Sequence, residues 1–224
     1  MVALAVLTGD LVNSSLLTPA RFQQVMAELT IHLQASCVDP RDSWEVFRGD
    51  SFQLTLNQPA RMPLVALQLK WALIALSDKN HKVDARMAIS FARVQLNELD
   101  STIFNTEAHN LSGKGLDSLK NERIKWFCGD EYFHIKTDLL TRFADNRLQI
   151  LTPTQAQALL LYSSLAEPTH QALASAMGSS RVNVTRLLNA ADYNLLLDYG
   201  NLVAGWIEEY FHVRSDETPD NNVR

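Results

Sequence analysis

At 224 residues, with 46% apolar and 20% charged side chains, the chain has ordinary globular composition and enough length to bury one large core, or a medium one plus a small one. No apolar run approaches the roughly 20 residues of a membrane span, and the start MVALAVLTGD meets Asp10 without a basic leader, so a cytoplasmic protein with no membrane contact is expected. A net charge of −5 argues against broad electrostatic coating of nucleic acid, and two cysteines, Cys37 and Cys128, are too few and too far apart for a zinc signature.

The apolar run 2–7 lacks helical spacing and is bounded by Gly9, which predicts a buried strand. Thr18 then offers an N-cap and Pro19 a first helical position, and Phe22, Val25, Met26, Leu29 and Leu33 recur at helical spacing, predicting a helix over 19–36. Trp44 and Val46, then Phe52, Leu54 and Leu56, alternate on either side of Gly49-Asp50 and predict a hairpin. A Leu- and Ala-rich helix over 63–76 and a strand over 85–91 follow. The resulting order βαββαβ is the split βαβ, ferredoxin-like arrangement, an α+β fold in which right-handed crossovers lay both helices on one face of an antiparallel sheet. The segment FCGDEYFHI at 127–135 reads as a further hairpin with Asp130 at its turn, followed by a helix over 137–143 and a turn at Ala144-Asp145-Asn146.

That topology has a consequence for two acids. The crossover makes the second strand parallel to the first, so the hairpin tip lies at the edge where the first strand ends, and Asp10 and Asp50 become neighbours. Two carboxylates so placed repel unless a cation, a proton or a basic group sits between them, and Arg48 is the nearby basic group. Taken singly, each aspartate reads better as a loop or turn residue than as a ligand; it is the two together that point to metal or nucleotide.

TGDLVNSS, FRGDSFQ, ARMAISFA and HNLSGKGLD, in this order and spacing, resemble the palm domain of class III nucleotide cyclases and diguanylate cyclases, and more narrowly the bacterial SatD-type proteins, small chains with a divergent cyclase-like palm and a C-terminal helix-turn-helix. The resemblance implies that Asp10 and Asp50 hold Mg²⁺ or Mn²⁺ against a nucleoside triphosphate, that the backbone of Leu11, Val12 and Asn13 together with Arg48 meets the nucleotide, and that Asn110 and Lys114 stand where the family keeps its transition-state Asn and Arg. Two departures matter. Val46 replaces the Lys of purine cyclases, and Lys114 offers a point charge without the guanidinium fork. A pyrimidine nucleotide, or binding without turnover, fits these losses.

A domain boundary is predicted near 147–152, giving a palm over 1–148, a helical domain over 149–213 and a flexible tail from 214. Within the helical part, Thr169 and Ser180 cap two short helices separated by Gly178, which is helix-turn-helix spacing, and Arg181, Asn183, Thr185 and Arg186 are the DNA-contact positions of the second helix. Against DNA stands a net acidic balance, because only Arg181 and Arg186 oppose Glu167, Asp192, Asp198, Glu208 and Glu209 in this unit. The rival role for the unit is packing on the palm or dimerisation. The expected function is a nucleotide-responsive, DNA-binding regulator acting as a homodimer, the alternatives being an active metal-dependent nucleotidyl cyclase or a degenerate palm used as a scaffold.

Overall fold

The computed structural model describes residues 2–94 and 106–216. Five strands, β1 (Val2–Leu11), β2 (Ser43–Phe47), β3 (Ser51–Leu56), β4 (Ala85–Val94) and β5 (Ile124–Trp126), form one mixed sheet in the order β2-β3-β1-β4-β5. The first four pair antiparallel in the order of the split βαβ, and β5 adds a parallel strand beside β4. Strand β1 is central and covered on both faces, which is why Leu4 to Leu7 are all apolar and fully buried instead of alternating.

On one face lie α1 (Pro19–Ser36) and α2 (Met62–Ala75). Thr18 caps α1 by accepting the Arg21 N–H at 3.3 Å, and Val25, Leu29 and Leu33 turn to the sheet. Helix α2 has no polar stripe because it is surrounded. The sheet and α1 cover one side of it, and α5 (Pro153–Ser164) and α8 (Tyr193–Asp216) cover the other. Its one charged interior residue, Lys70, is fully buried and donates to the Asp84 carboxylate and, at 3.0 Å, to the Ala85 carbonyl at the start of β4. Arg123 lies 3.8 Å from the other Asp84 oxygen, and its backbone N–H donates to Asp145 at 3.0 Å. Burial pushes the Asp145 carboxyl above its ordinary pKa.

The opposite face of the sheet is covered by α3 (Glu107–Ser118), whose Ala108 and Leu116 pack on Leu4, Val6, Ala88 and Ala92. A buried polar seam fastens it. Thr8 shares a 2.8 Å hydrogen bond with Ser112 and accepts from Gln53 at 3.0 Å, while His109 sits between Thr55 at 3.2 Å and Thr106 at 2.7 Å. Burial lowers the His109 pKa to about 4, so the ring is neutral at physiological pH.

The remaining helices are α4 (Glu131–Gln149), α6 (His170–Ala176) and α7 (Arg181–Ala190). One buried apolar core runs without a break from the sheet through α2 to Leu159, Leu173, Leu188, Leu196 and Val203. Close approach of α8 to α2 is what Gly200 permits, since a Cβ there would stand 2.5 Å from Leu64 Cδ2.

Several sequence expectations are corrected. The first strand runs on through Gly9 to Leu11, because a Cβ at Gly9 would meet the Phe52 ring at 2.5 Å and the Arg86 carbonyl at 2.9 Å, so a glycine is what lets the strands close there. The expected hairpin over 127–135 is the start of α4: Asp130 is an N-cap whose Oδ1 accepts from the Phe133 N–H at 2.7 Å. The turn expected at Ala144 to Asn146 is inside that helix, and β5 was not foreseen. Helix α8 reaches Asp216, past the expected start of the tail at 214, and the rest of that tail lies outside the described residues.

Two outcomes follow for stability. Replacing Lys70 by Met strands the Asp84 carboxylate in the core and lowers the unfolding free energy by about 3–5 kcal/mol in urea titration, and adding Asp84→Asn recovers part of the loss. For His109, the folded pKa of about 4 lies below the free value of 6.5, so between these the unfolded chain binds a proton that the folded one refuses. This contribution is therefore fully present above pH 6.5 and is lost as pH falls toward 4, by about 3 kcal/mol in all. Comparing the pH dependence of urea unfolding for wild type and His109→Gln isolates it, and the variant's profile is flatter by that amount.

Candidate functional site at the β1 edge

The acidic end of the sheet is built by strand register. Asp10 stands directly opposite Ser51 on β3 and Arg86 on β4, and the Leu11 N–H donates to the Asp50 carbonyl at 3.2 Å. The β2–β3 turn that carries Asp50 is tight, with Arg48 at φ +51° and Gly49 at φ +86°. The topology thus brings Asp10 and Asp50 to one corner.

Arg86, on the β4 flank of β1, is the basic group that pairs with Asp10. Its Nε donates to Asp10 Oδ1 at 3.0 Å and its Nη2 to Asp10 Oδ2 at 2.5 Å, a two-pronged pair in which both carboxylate oxygens are engaged. Nη1 donates to the Leu119 carbonyl at 3.3 Å, which ties the end of α3 to the corner. The hydrogen bond to Asp10 raises the Arg86 pKa further above its ordinary value, with smaller contributions from the Asp10, Asp117 and Asp50 charges. Asp50 in turn accepts from Ser14 Oγ at 2.5 Å, and Ser14 opens a short 3₁₀ turn (Ser14–Leu16) behind the left-handed Asn13, at φ 55°. Arg48, the basic group proposed from sequence, is exposed at the hairpin tip and has no ion pair among the described residues.

The other proposed contacts are disposed as follows. The Leu11 and Val12 N–H groups are already used, by the Asp50 carbonyl and, at 2.8 Å, by the Asp84 carbonyl, so neither points freely toward a phosphate. Asn110 and Lys114 share the exposed side of α3, one turn apart, whereas Ala108, His109, Ser112 and Gly115 face the sheet. They are not drawn into the Asp10 corner. On α7, Arg181 and Arg186 are exposed; Asn183 donates to Ser179 Oγ at 2.9 Å and accepts from Arg186 at 3.1 Å, and Thr185 bonds His170 Nδ1 at 2.8 Å. Cys37 and Cys128 are half-buried thiols outside any disulfide, and Cys128 Sγ donates to the Asp130 carbonyl at 3.5 Å.

A divalent cation of the Mg²⁺ type needs about six oxygens around it, several from carboxylates or water. Here both Asp10 oxygens accept from a guanidinium, one Asp50 oxygen accepts from a hydroxyl, and among the described residues no three Asp, Glu, His or Cys side chains converge as ligands. In this arrangement the residues present do not fit the metal pair that the resemblance implies. Arg86 was missed because only register reveals it. The signal was an arginine at the head of the strand that follows the second helix.

Among the described residues no helix is long and apolar enough to cross a membrane. No protein-family model matches the chain, and no curated protein matches it. Among solved structures it is similar to the active GGEEF domain of a diguanylate cyclase from Vibrio cholerae, with 13% identity and a TM-score of 0.44 over 58% of this chain and 84% of that one. It is also similar to the guanylyl cyclase Cya2, with 14% identity and a TM-score of 0.41 over 55% of this chain and 74% of that one.

Proposed function

We propose that the chain is a regulatory protein in which a cyclase-like sheet senses a nucleotide without cyclising it and the C-terminal helices answer by contacting DNA. The observation that carries this reading is the Asp10–Arg86 fork, which gives each oxygen of Asp10 a guanidinium donor and sets a fixed positive charge against the carboxylate that metal-dependent nucleotidyl chemistry would use for its cation. A guanidinium in that position has a second use. A nucleotide phosphate offers the same planar pair of acceptors as the carboxylate, so it can replace Asp10 as the partner of Arg86. The route outward is through packed groups: Val12 hangs on the Asp84 carbonyl, Asp84 holds Lys70, and Lys70 belongs to the helix on which α5 and α8 rest. On the far side, α7 offers the exposed guanidinium groups of Arg181 and Arg186 with Val182 between them, types suited to phosphates and to a thymine methyl.

The second reading is an active cyclase, favoured by the adjacency of Asp10 and Asp50 at the sheet edge. Incubation with Mn²⁺ or Mg²⁺ and each of the four ribonucleoside triphosphates separates the two. The regulatory reading expects no cyclic product, and stabilisation by one triphosphate that persists in EDTA: about 2.7 kcal/mol at roughly 100 times Kd, or about 5–10 °C in melting temperature. Arg86→Ala abolishes that shift. A cyclic product that disappears in Asp50→Ala establishes the cyclase instead.

The DNA contact is checked by gel shift against a library of genomic fragments, with and without the stabilising nucleotide. Arg181→Ala and Arg186→Ala each weaken binding by about 1–3 kcal/mol and reduce its salt dependence. Failure to retain any fragment removes this half of the reading.

A further inference from the structure

Helices α4 and α8 run antiparallel along the surface, held in register by Arg147–Asp192 at 3.0 Å near one end and Lys136–Glu209 at 3.2 Å near the other. Between them is a groove of about 570 Å³, floored by the buried Leu196 and Tyr199. Its rim is apolar yet faces solvent: Phe143 is 65% exposed, Ile150 67% and Leu195 63%. Surface side chains of this kind scattered singly are ordinary, but a contiguous set on one face marks a contact.

We infer that this α4/α8 face is where a second copy of the chain docks, the two helix pairs closing into an antiparallel four-helix bundle about a twofold axis. Three features select that occupant. A small apolar ligand seated in the groove would leave the protruding Phe143, Ile150 and Leu195 in water, whereas the same helix pair from another copy covers the groove and its rim together. The size is right as well. Helix α4 is roughly 28 Å long and the pair roughly 20 Å across, a flat footprint of roughly 560 Å² that side-chain relief brings toward the roughly 800 Å² per partner of a standard interface. Charge is self-complementary. Asp198, in the middle of the apolar face of α8, has no ion pair among the described residues and lies level with the α4 stretch between Arg142 and Arg147. Arg142 flanks the strip with its side chain 64% exposed, and among the described residues its ion pair is a 3.8 Å contact to Asp138 one turn away. A twofold parallel to the helices sets α8 of each copy against α4 of the other at the same level, so Asp198 meets the partner's Arg142, twice.

The inference does not depend on nucleotide or DNA, and its test uses neither. Sedimentation equilibrium and light scattering on the full chain are expected to give twice the 25.2 kDa protomer mass. Phe143→Asp is expected to give the protomer mass with an unchanged circular dichroism spectrum, since the residue is exposed and not needed for folding. Asp198→Arg and Arg142→Asp are each expected to raise the dissociation constant at least about tenfold, and the double reversal to restore it. A wild-type chain that stays monomeric at its highest attainable concentration overturns the inference, as does a monomer that native mass spectrometry finds carrying a small apolar ligand. So does a dimer indifferent to Phe143→Asp and to both charge reversals.

Discussion

The buried ammonium of Lys70 is the contact on which the arrangement of this protein turns. An unpaired charge at that depth would cost several kcal/mol, so the Asp84 carboxylate and the Ala85 carbonyl must stay within its reach. That requirement places the start of β4 against the middle of α2. Because the Asp84 carbonyl also receives the Val12 N–H, the same requirement sets where β1 ends, and with it the corner that holds Asp10. On the other side α2 is the surface that α5 and α8 cover, so sheet and C-terminal helices are referred to one element.

At the corner a guanidinium meets a carboxylate. Two carboxylates at the end of adjacent strands need a positive partner, and a covalently attached guanidinium meets that need without a ligand. The fork geometry gives both Asp10 oxygens a donor and leaves Asp50 to Ser14. A lysine in the same place would neutralise the charge but could not occupy both oxygens in the plane. The polar seam beneath, from Thr8 through Ser112 to His109, holds α3 over this face, and α3 reaches the corner again through the Leu119 carbonyl.

The C-terminal helices carry two surfaces with different chemistry. The α7 face is polar and lightly basic, with its side chains bonded to one another; the α4/α8 groove is mostly apolar, with Asp198 in its lining. The first suits a wet, phosphate-bearing partner, the second a dry one. Both adjoin the Ala190–Ala191 turn, where Arg147 donates to the main-chain carbonyls, so the two surfaces are joined by a rigid corner.

Much of this was present in the chain itself. The long apolar run of β1, the Thr18-Pro19 start and the RGDS hairpin determined the split βαβ and the meeting of Asp10 with Asp50, because a crossover makes the strands it joins parallel and a hairpin makes them antiparallel. The N-cap at Asp130 was not read from the sequence, where Gly129-Asp130 looks like a turn until α4 is seen packing on β5. Three things belonged to tertiary structure. A three-residue strand such as β5 has too few positions to show a period and exists only because β4 lies beside it. Arg86 and Asp10 are 76 positions apart, and only the register of β1 on β4 sets them opposite each other. And whether a helical residue such as Lys70, Asn110 or Lys114 faces a core or the solvent is decided by what covers its helix, a long-range fact that no local pattern contains.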